Sequence, residues 1–296
     1  MVTVPHGSIV LDNPNGMAPG LIMEKNGKTA ILLPGPPNEL YPLFEGQVFP
    51  YLEKRQNSQL VSHMVKICGY GESQVEDKIL DLIDKQTNPT IATYAKTAEV
   101  QVRLTAKAVT KEEGEALIAP VMAELFNRFG DCIFTTEEDV TLEMAVVDLL
   151  QKKHLTMATA ESCTGGMIAA RLVNVSGVSD VFMQGMVTYS NEAKVRLLGV
   201  KEETLKAHGA VSRETALEMA LGGAERAQTD VCVAVTGLAG PGGGSKEKTV
   251  GLVYMACAVK GKAEVLEYHF KGNRGKIREQ SMMKALDLLR RCVLKA

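Results

Sequence analysis

The sequence predicts an α/β protein. Its C-terminal half reads as an α/β domain with helices on both sides of a mixed sheet, preceded by a small α+β domain and a short N-terminal α/β segment. Three observations predict this. From residue 136 onward, short apolar runs alternate with segments of helical periodicity. Residues 58–135 run strand, helix, strand, strand, helix, with a last short strand over 131–134. Residues 1–57 are rich in Gly, Pro and Asn and hold too few apolar runs for a domain of their own.

In the first segment, Thr29 to Leu33 reads as one buried strand. Pro36 and Pro37 cannot extend it, and a helix is expected from about Asn38, with Asn38 as its N-cap. In the second, LVSHMVKICG is a strand and GESQVEDKILDLIDKQ a helix, with Val75, Ile79, Leu82 and Ile83 at helical spacing. TIATYAK and EVQVRLTAKA are strands, the latter with two-residue alternation, and KEEGEALIAPVMAELFNRFG is a helix. In the third, TLEMAVVDLLQKKH sets Leu142, Ala145, Val146, Leu149 and Leu150 on one helical face. LTMATAE is a strand and SCTGG opens a helix. VFMQGMVTYS is a strand and NEAKVRLLGV a helix. SRETALEMALGGAERAQ is a helix with Ser212 as N-cap. VCVAVTG is a buried strand, LAGPGGGSKEK a long loop, and TVGLVYMACAV and AEVLEYHF a possible hairpin. A closing helix is expected from about Gly275 to Val293.

Composition narrows the function. The chain has 296 residues, 45% apolar and 23% charged, the balance of a soluble globular protein. A net charge of −2 gives no basic footprint for nucleic acid, and 5% aromatics without Trp disfavours base stacking. No run approaches the roughly 18 to 20 apolar residues of a membrane span, and MVTVPHGSIVLDNPNG lacks the pattern of a signal peptide. Six scattered cysteines point to reduced thiols and a cytoplasmic location. The five histidines show no metal-ligand spacing, so no metal site is expected.

Ligands of α/β sheets gather at the carboxyl ends of strands. Here one strand end delivers Glu161, Ser162, Cys163 and Thr164. A second delivers Tyr189, Ser190 and Asn191, with Lys194 one turn on; a third Thr236, Gly237 and the glycine loop with Gly240; a fourth Lys271, Asn273 and Arg274. These parts suit nucleophilic acyl transfer on an anionic substrate. A serine needs a base, no histidine stands at a comparable strand end, and Lys194 or a Tyr189–Lys194 relay is the substitute. Gly165 and Gly166 offer backbone N–H groups for an oxyanion or for a phosphate. Arg274 offers a bidentate phosphate contact. Taken singly, each feature has a plainer reading. SCTGG is weak evidence, because small residues at such turns ordinarily serve packing. Cys163 reads first as a small buried hydrophobe, Lys194 as a solvated helix residue, and LAGPGGGSKEK as a hairpin connection that fits neither a Walker loop nor GxGxxG.

The combination is more specific. AESCTGGMIAARLVNVSGVSDVF, GMVTYSNEAKVRLLGV, HGAVSRETALEMA and VAVTGLAGPGGGSKEKTVGLVY, in this order, resemble the CinA family. Residues 136–296 resemble its C-terminal amidohydrolase domain, the PncC type that deamidates nicotinamide mononucleotide. Residues 58–135 resemble its KH-like linker domain. Residues 1–57, with LDNPNGMAPG and LPGPPNEL, resemble the end of its MoaB-type, molybdopterin-binding-like domain, whose upstream part this sequence does not contain. The metal-dependent ADP-ribose pyrophosphatase activity ascribed to that domain is therefore expected to be absent or impaired.

The resemblance implies Ser162 as nucleophile, Tyr189 and Lys194 as its activating partners, Thr236 as the residue that positions the substrate or helps the oxyanion, and Arg274 as the phosphate-binding arginine. It further implies a homodimer acting without metal or cofactor. One alternative is a nucleotide- or partner-binding protein with a silent site, which would bind nucleotide without releasing ammonia; the other is residual ADP-ribose pyrophosphatase activity from residues 1–57, which would release AMP from ADP-ribose with a divalent metal.

Overall fold

The N-terminal segment folds around three strands. The structure is a computed structural model describing residues 3–296. The chain divides into two compact units, Met1–Leu60 with Lys107–Glu113, and Val61–Ala106 with Gly114–Ala296. In the first, β1 (Ile9–Leu11), β2 (Gly20–Lys25) and β3 (Lys28–Leu32) form an antiparallel sheet in the order β1-β2-β3. Asn26 and Gly27 join β2 to β3, both at positive φ (53° and 73°), as a two-residue hairpin of matching twist requires. The strand expected to be buried is instead an exposed edge: Lys28, Thr29 and Ala30 face solvent and Leu32 is 49% exposed. A small cluster of Leu11, Ile22, Leu43 and Val48 covers only part of this sheet's apolar surface. The following helix, α1 (Pro37–Leu43), is capped by Pro36, not Asn38. Pro37 takes the first helical position, where a missing N–H costs nothing, and the Pro36 carbonyl accepts from Glu39 and Leu40. A π-helical stretch leads on to α2 (Phe49–Glu53).

The chain continues with β4 (Gln59–Cys68), α3 (Glu72–Asp84), β5 (Thr90–Lys96), β6 (Glu99–Ala108), α4 (Lys111–Phe129) and β7 (Ile133–Thr135), most of whose residues belong to the second unit. The sheet order is β5-β6-β4-β7. Alternation along β6 buries Val100, Val102, Leu104 and Ala106 against Val75 and Ile79 of α3 and Ile118 and Leu125 of α4. Lys66, almost fully buried, donates to the carbonyls of Glu138 (2.6 Å) and Val140 (2.9 Å), pinning the connection that leaves β7.

The remaining elements are α5 (Leu142–Lys152), β8 (Met157–Glu161), α6 (Met167–Leu172), β9 (Phe182–Val187), α7 (Asn191–Leu198), α8 (Glu202–His208), α9 (Arg213–Ala227), β10 (Val231–Gly237), β11 (Leu252–Val259), β12 (Lys262–His269) and α10 (Arg274–Leu294). The sheet order is β12-β11-β10-β8-β9. β10, β8 and β9 run parallel and β11 and β12 antiparallel, so the sheet is mixed. One face packs Met157, Val233 and Met255 on α5, α6 and α10. The other packs Ala158, Ala160 and Ala234 on Met219 and Ala220 of α9. Helices thus cover both faces. No helix among the described residues is long and apolar enough to cross a membrane.

Two local constraints aim this sheet's strand ends. A Cβ on Gly222 of α9 would lie 1.7 Å from the Leu198 carbonyl oxygen, so only glycine lets the end of α7 rest there. Glu161, the last residue of β8, is fully buried, and its carboxylate accepts the N–H groups of Gly166 (3.0 Å), Ile168 (3.1 Å) and Ala169 (2.9 Å). It binds the strand to the start of α6 and fixes the turn between them. Glu161→Gln keeps the shape but turns an amide N–H₂ toward these donors. The expected cost is about 1.5–3 kcal/mol, the range for hydrogen bonds to a charged group, read as a lowered urea midpoint at unchanged m-value. An unchanged midpoint would show that the carboxylate does not hold the turn.

Candidate active site

Ser162 stands directly after β8, its N–H bonded to the Val235 carbonyl of β10 (2.9 Å) and its side chain 8% exposed. Lys194 lies in α7, whose N-cap Ser190 accepts the Ala193 N–H. Lys194 is only 1% exposed, against the solvated helix position its sequence suggested. Its Nζ lies 3.0 Å from Ser162 Oγ, 2.8 Å from the Thr188 carbonyl and 3.3 Å from the Tyr189 carbonyl. As an ammonium it donates to all three. As a neutral amine two N–H groups serve the carbonyls, and the lone pair is left for the Ser162 hydroxyl. Burial pushes its pKa below the ordinary lysine value, opposed by the neighbouring Cys163 thiol. The contact is within the reach required of a nucleophile and its base.

Tyr189 does not bridge Lys194 and Ser162. Its carbonyl serves Lys194, while its hydroxyl accepts from Arg274 Nη2 (3.0 Å), and the side chain is 62% exposed. Arg274 also donates to the Gly240 carbonyl (2.8 Å), so the second strand end, the glycine loop and the start of α10 meet at one guanidinium. Thr236 is buried and donates to the Ala210 carbonyl at 2.6 Å, which ties β10 to the α8–α9 connection. A Cβ on Gly237 would meet Val253 Cγ2 at 2.6 Å, so this glycine answers to strand packing. Gly240 has φ +73°, and its missing Cβ makes room for Val250.

The two glycines after Ser162 do not supply free donors. Gly165 N–H goes to the Ser162 carbonyl (3.1 Å) and Gly166 N–H to Glu161. Their positive φ (61° and 93°) explains the residue type. The N–H groups of Cys163 and Thr164 donate to no backbone carbonyl in the hydrogen bonds of the described residues, and the buried Thr164 hydroxyl has no partner among them. Arg278, on α10, donates to the carbonyls of Cys163 (3.0 Å) and Thr164 (2.7 Å) and so holds the peptides of this turn. Neither Glu161 nor Arg278 was assigned a role from the sequence. The usable signals were a carboxylate six residues before a helix and an arginine one turn after Arg274. Cys163 packs within the apolar cluster on the α10 side of the sheet, and burial pushes its thiol up to about 11, far from the thiolate a nucleophile needs. Among the described residues, no three His, Cys, Asp or Glu side chains are placed to hold a metal ion.

Comparison with known proteins assigns the family. Residues 62–135 match the damage-inducible protein CinA KH domain and residues 139–293 the CinA C-terminal domain. A protein of Clostridium beijerinckii, named a competence-damage inducible protein, is 53% identical over 99% of this chain and 71% of its own length. A CinA-like protein of Kosmotoga olearia is 52% identical over 98% of this chain and 70% of its own length. Among solved structures, a CinA superfamily protein of Klebsiella pneumoniae is 34% identical with a TM-score of 0.51, covering 52% of this chain and 97% of that one. The chain therefore belongs to the CinA family and carries that family's KH domain followed by its C-terminal domain.

Proposed function

We propose that this chain is a serine amidohydrolase that converts nicotinamide mononucleotide to nicotinic acid mononucleotide and ammonia. The observation that carries the reading is the buried 3.0 Å contact between Lys194 Nζ and Ser162 Oγ. A serine hydroxyl at neutral pH is a weak nucleophile, and an amine held below its ordinary pKa is a fitting base. The substrate rests on two supports. The SCTGG, TYSNEAK and VTGLAGP segments resemble the family's nucleotide-deamidating domain. Arg274, beside these segments, spends two N–H donors on Gly240 and Tyr189 and keeps the rest of its five for a phosphate.

In this reaction the Ser162 proton passes to neutral Lys194 as Ser162 Oγ bonds to the carboxamide carbon. The oxyanion is assigned to the N–H groups of Cys163 and Thr164, the donor next to the nucleophile being the usual one at such a turn. The C–N bond then breaks, Lys194 returns its proton to the departing nitrogen, and ammonia leaves. A water attacks the Ser162 ester and gives its proton to Lys194. The acid is released as Ser162 regains its hydrogen. Tyr189 and Arg274 bind and orient, and Thr236 keeps the strand end in place.

Ammonia release from nicotinamide mononucleotide tests this. Ser162→Ala is expected to lower kcat by at least about 10³-fold, since nucleophile and base fail as a unit, while Cys163→Ala keeps wild-type turnover within a few-fold. Turnover surviving in Ser162→Ala, or lost only in Cys163→Ala, would contradict the assignment. The pH dependence has a defined sign. Below its pKa Lys194 is an ammonium without a lone pair, so kcat/KM falls as pH falls. The limb is set by a pKa below the ordinary 10.5. Lys194→Met is expected to abolish the limb together with the activity, and an active Lys194→Met enzyme with an unchanged profile would remove Lys194 from the role of base.

A further inference from the structure

A cleft of about 840 Å³ opens between the turn before α3, the β5–β6 hairpin and the start of α10. Its walls bring together Lys96, Lys271, Lys276 and Lys284 with Tyr70 and Phe270. No Asp or Glu lines it. In a chain with 33 basic and 35 acidic residues, four ammonium groups around one concavity without a carboxylate is a marked local excess. Three acids border it without lining it: Glu99, opposite Lys96 in the hairpin, Glu72, next to Gly71, and Glu279, next to Gln280. The ion pairs of Lys152, Lys206 and Lys295 lie elsewhere.

Such a cluster raises the local potential and repels itself unless a polyanion enters. The turn Gly69–Gly71 on one wall opens the 13-residue helix α3, whose first N–H groups add to the positive field. The aromatic walls are fixed in place. Tyr70 stands edge-on to Phe129 and Phe270 stacks on Tyr268 at 5.3 Å. The volume falls in the range that encloses a nucleotide-sized molecule.

We propose that this cleft binds a small ligand carrying a chain of two or more phosphates. A nucleoside di- or triphosphate is the form that uses both the lysines and the aromatic walls. The site is separate from Ser162: neither Ser162 nor Lys194 lines it, and the hydrogen-bond partners of Lys194 Nζ are not among its lining residues.

The test is calorimetric titration of the full chain, metal-free and at low salt, with inorganic triphosphate and with ATP. One saturable site is expected for both probes, weakening as salt is raised. The double variant Lys96→Ala/Lys284→Ala should weaken binding by at least about tenfold, the loss of a charge-assisted contact. Lys25→Ala/Lys28→Ala, which removes two exposed lysines of the β2–β3 hairpin, should not. Matching thermal midpoints show that both variants fold. Tighter binding of ATP identifies a nucleotide ligand, and equal or tighter binding of triphosphate identifies a bare phosphate chain; both support the site. No saturable binding of either probe, equal loss in the two variants, or saturation only with a single-stranded oligonucleotide would overturn it.

Discussion

The arrangement of the strand ends depends on the burial of one amine. Lys194 reaches the Ser162 hydroxyl because the carbonyls of Thr188 and Tyr189, where β9 runs into α7, receive its Nζ. Burying an ammonium is costly, so burial holds the Lys194 amine below its ordinary pKa, and its partners are two carbonyls and a hydroxyl rather than a carboxylate. Everything near Lys194 serves its position. Gly222 lets α7 settle on α9, Glu161 fixes the turn that holds Ser162, and Arg278 grips that turn from α10. Three layers of the domain meet at one 3.0 Å contact.

Much of this framework was legible in the sequence. Strand runs such as VCVAVTG and helices such as 213–227 have strong periodicity and clear caps, and the rule that ligands gather at strand ends led to Ser162, Tyr189, Lys194 and Arg274. The illegible parts have physical reasons. Lys194 reads as solvated because its burial comes from tertiary contacts that helical periodicity does not encode. Gly165 and Gly166 looked like free donors, but their N–H groups are taken by Ser162 and by Glu161, whose carboxylate returns to the helix start. The apolar run before Pro36 signals a strand but not which side is covered, and β3 is an exposed edge. The short helix α8 has little apolar pattern, with Leu205 its one large apolar residue, and was not anticipated. Asn38 lost the cap to Pro36 because Pro37 suits the first helical position.

α10 has a share in each functional feature. Arg274 at its start meets Tyr189 and the glycine loop, Arg278 one turn on holds the Ser162 turn, and Lys276 and Lys284 face the cationic cleft. Its buried face, with Leu286 and Leu289, packs on the sheet, and Arg290 donates to the Asp131 carbonyl near β7. One helix therefore joins the KH-domain end of this unit to the hydroxyl–amine pair.

The central claim is that Lys194 is an amine poised to lose its proton beside Ser162. The most direct measurement is NMR titration of the protein labelled with ¹³C at lysine Cε, with the Lys194 signal assigned by its disappearance in Lys194→Met. The account predicts that this signal titrates at a lower pH than the exposed lysines and that Ser162→Ala perturbs its shift. A Lys194 signal that titrates together with the exposed lysines would contradict it.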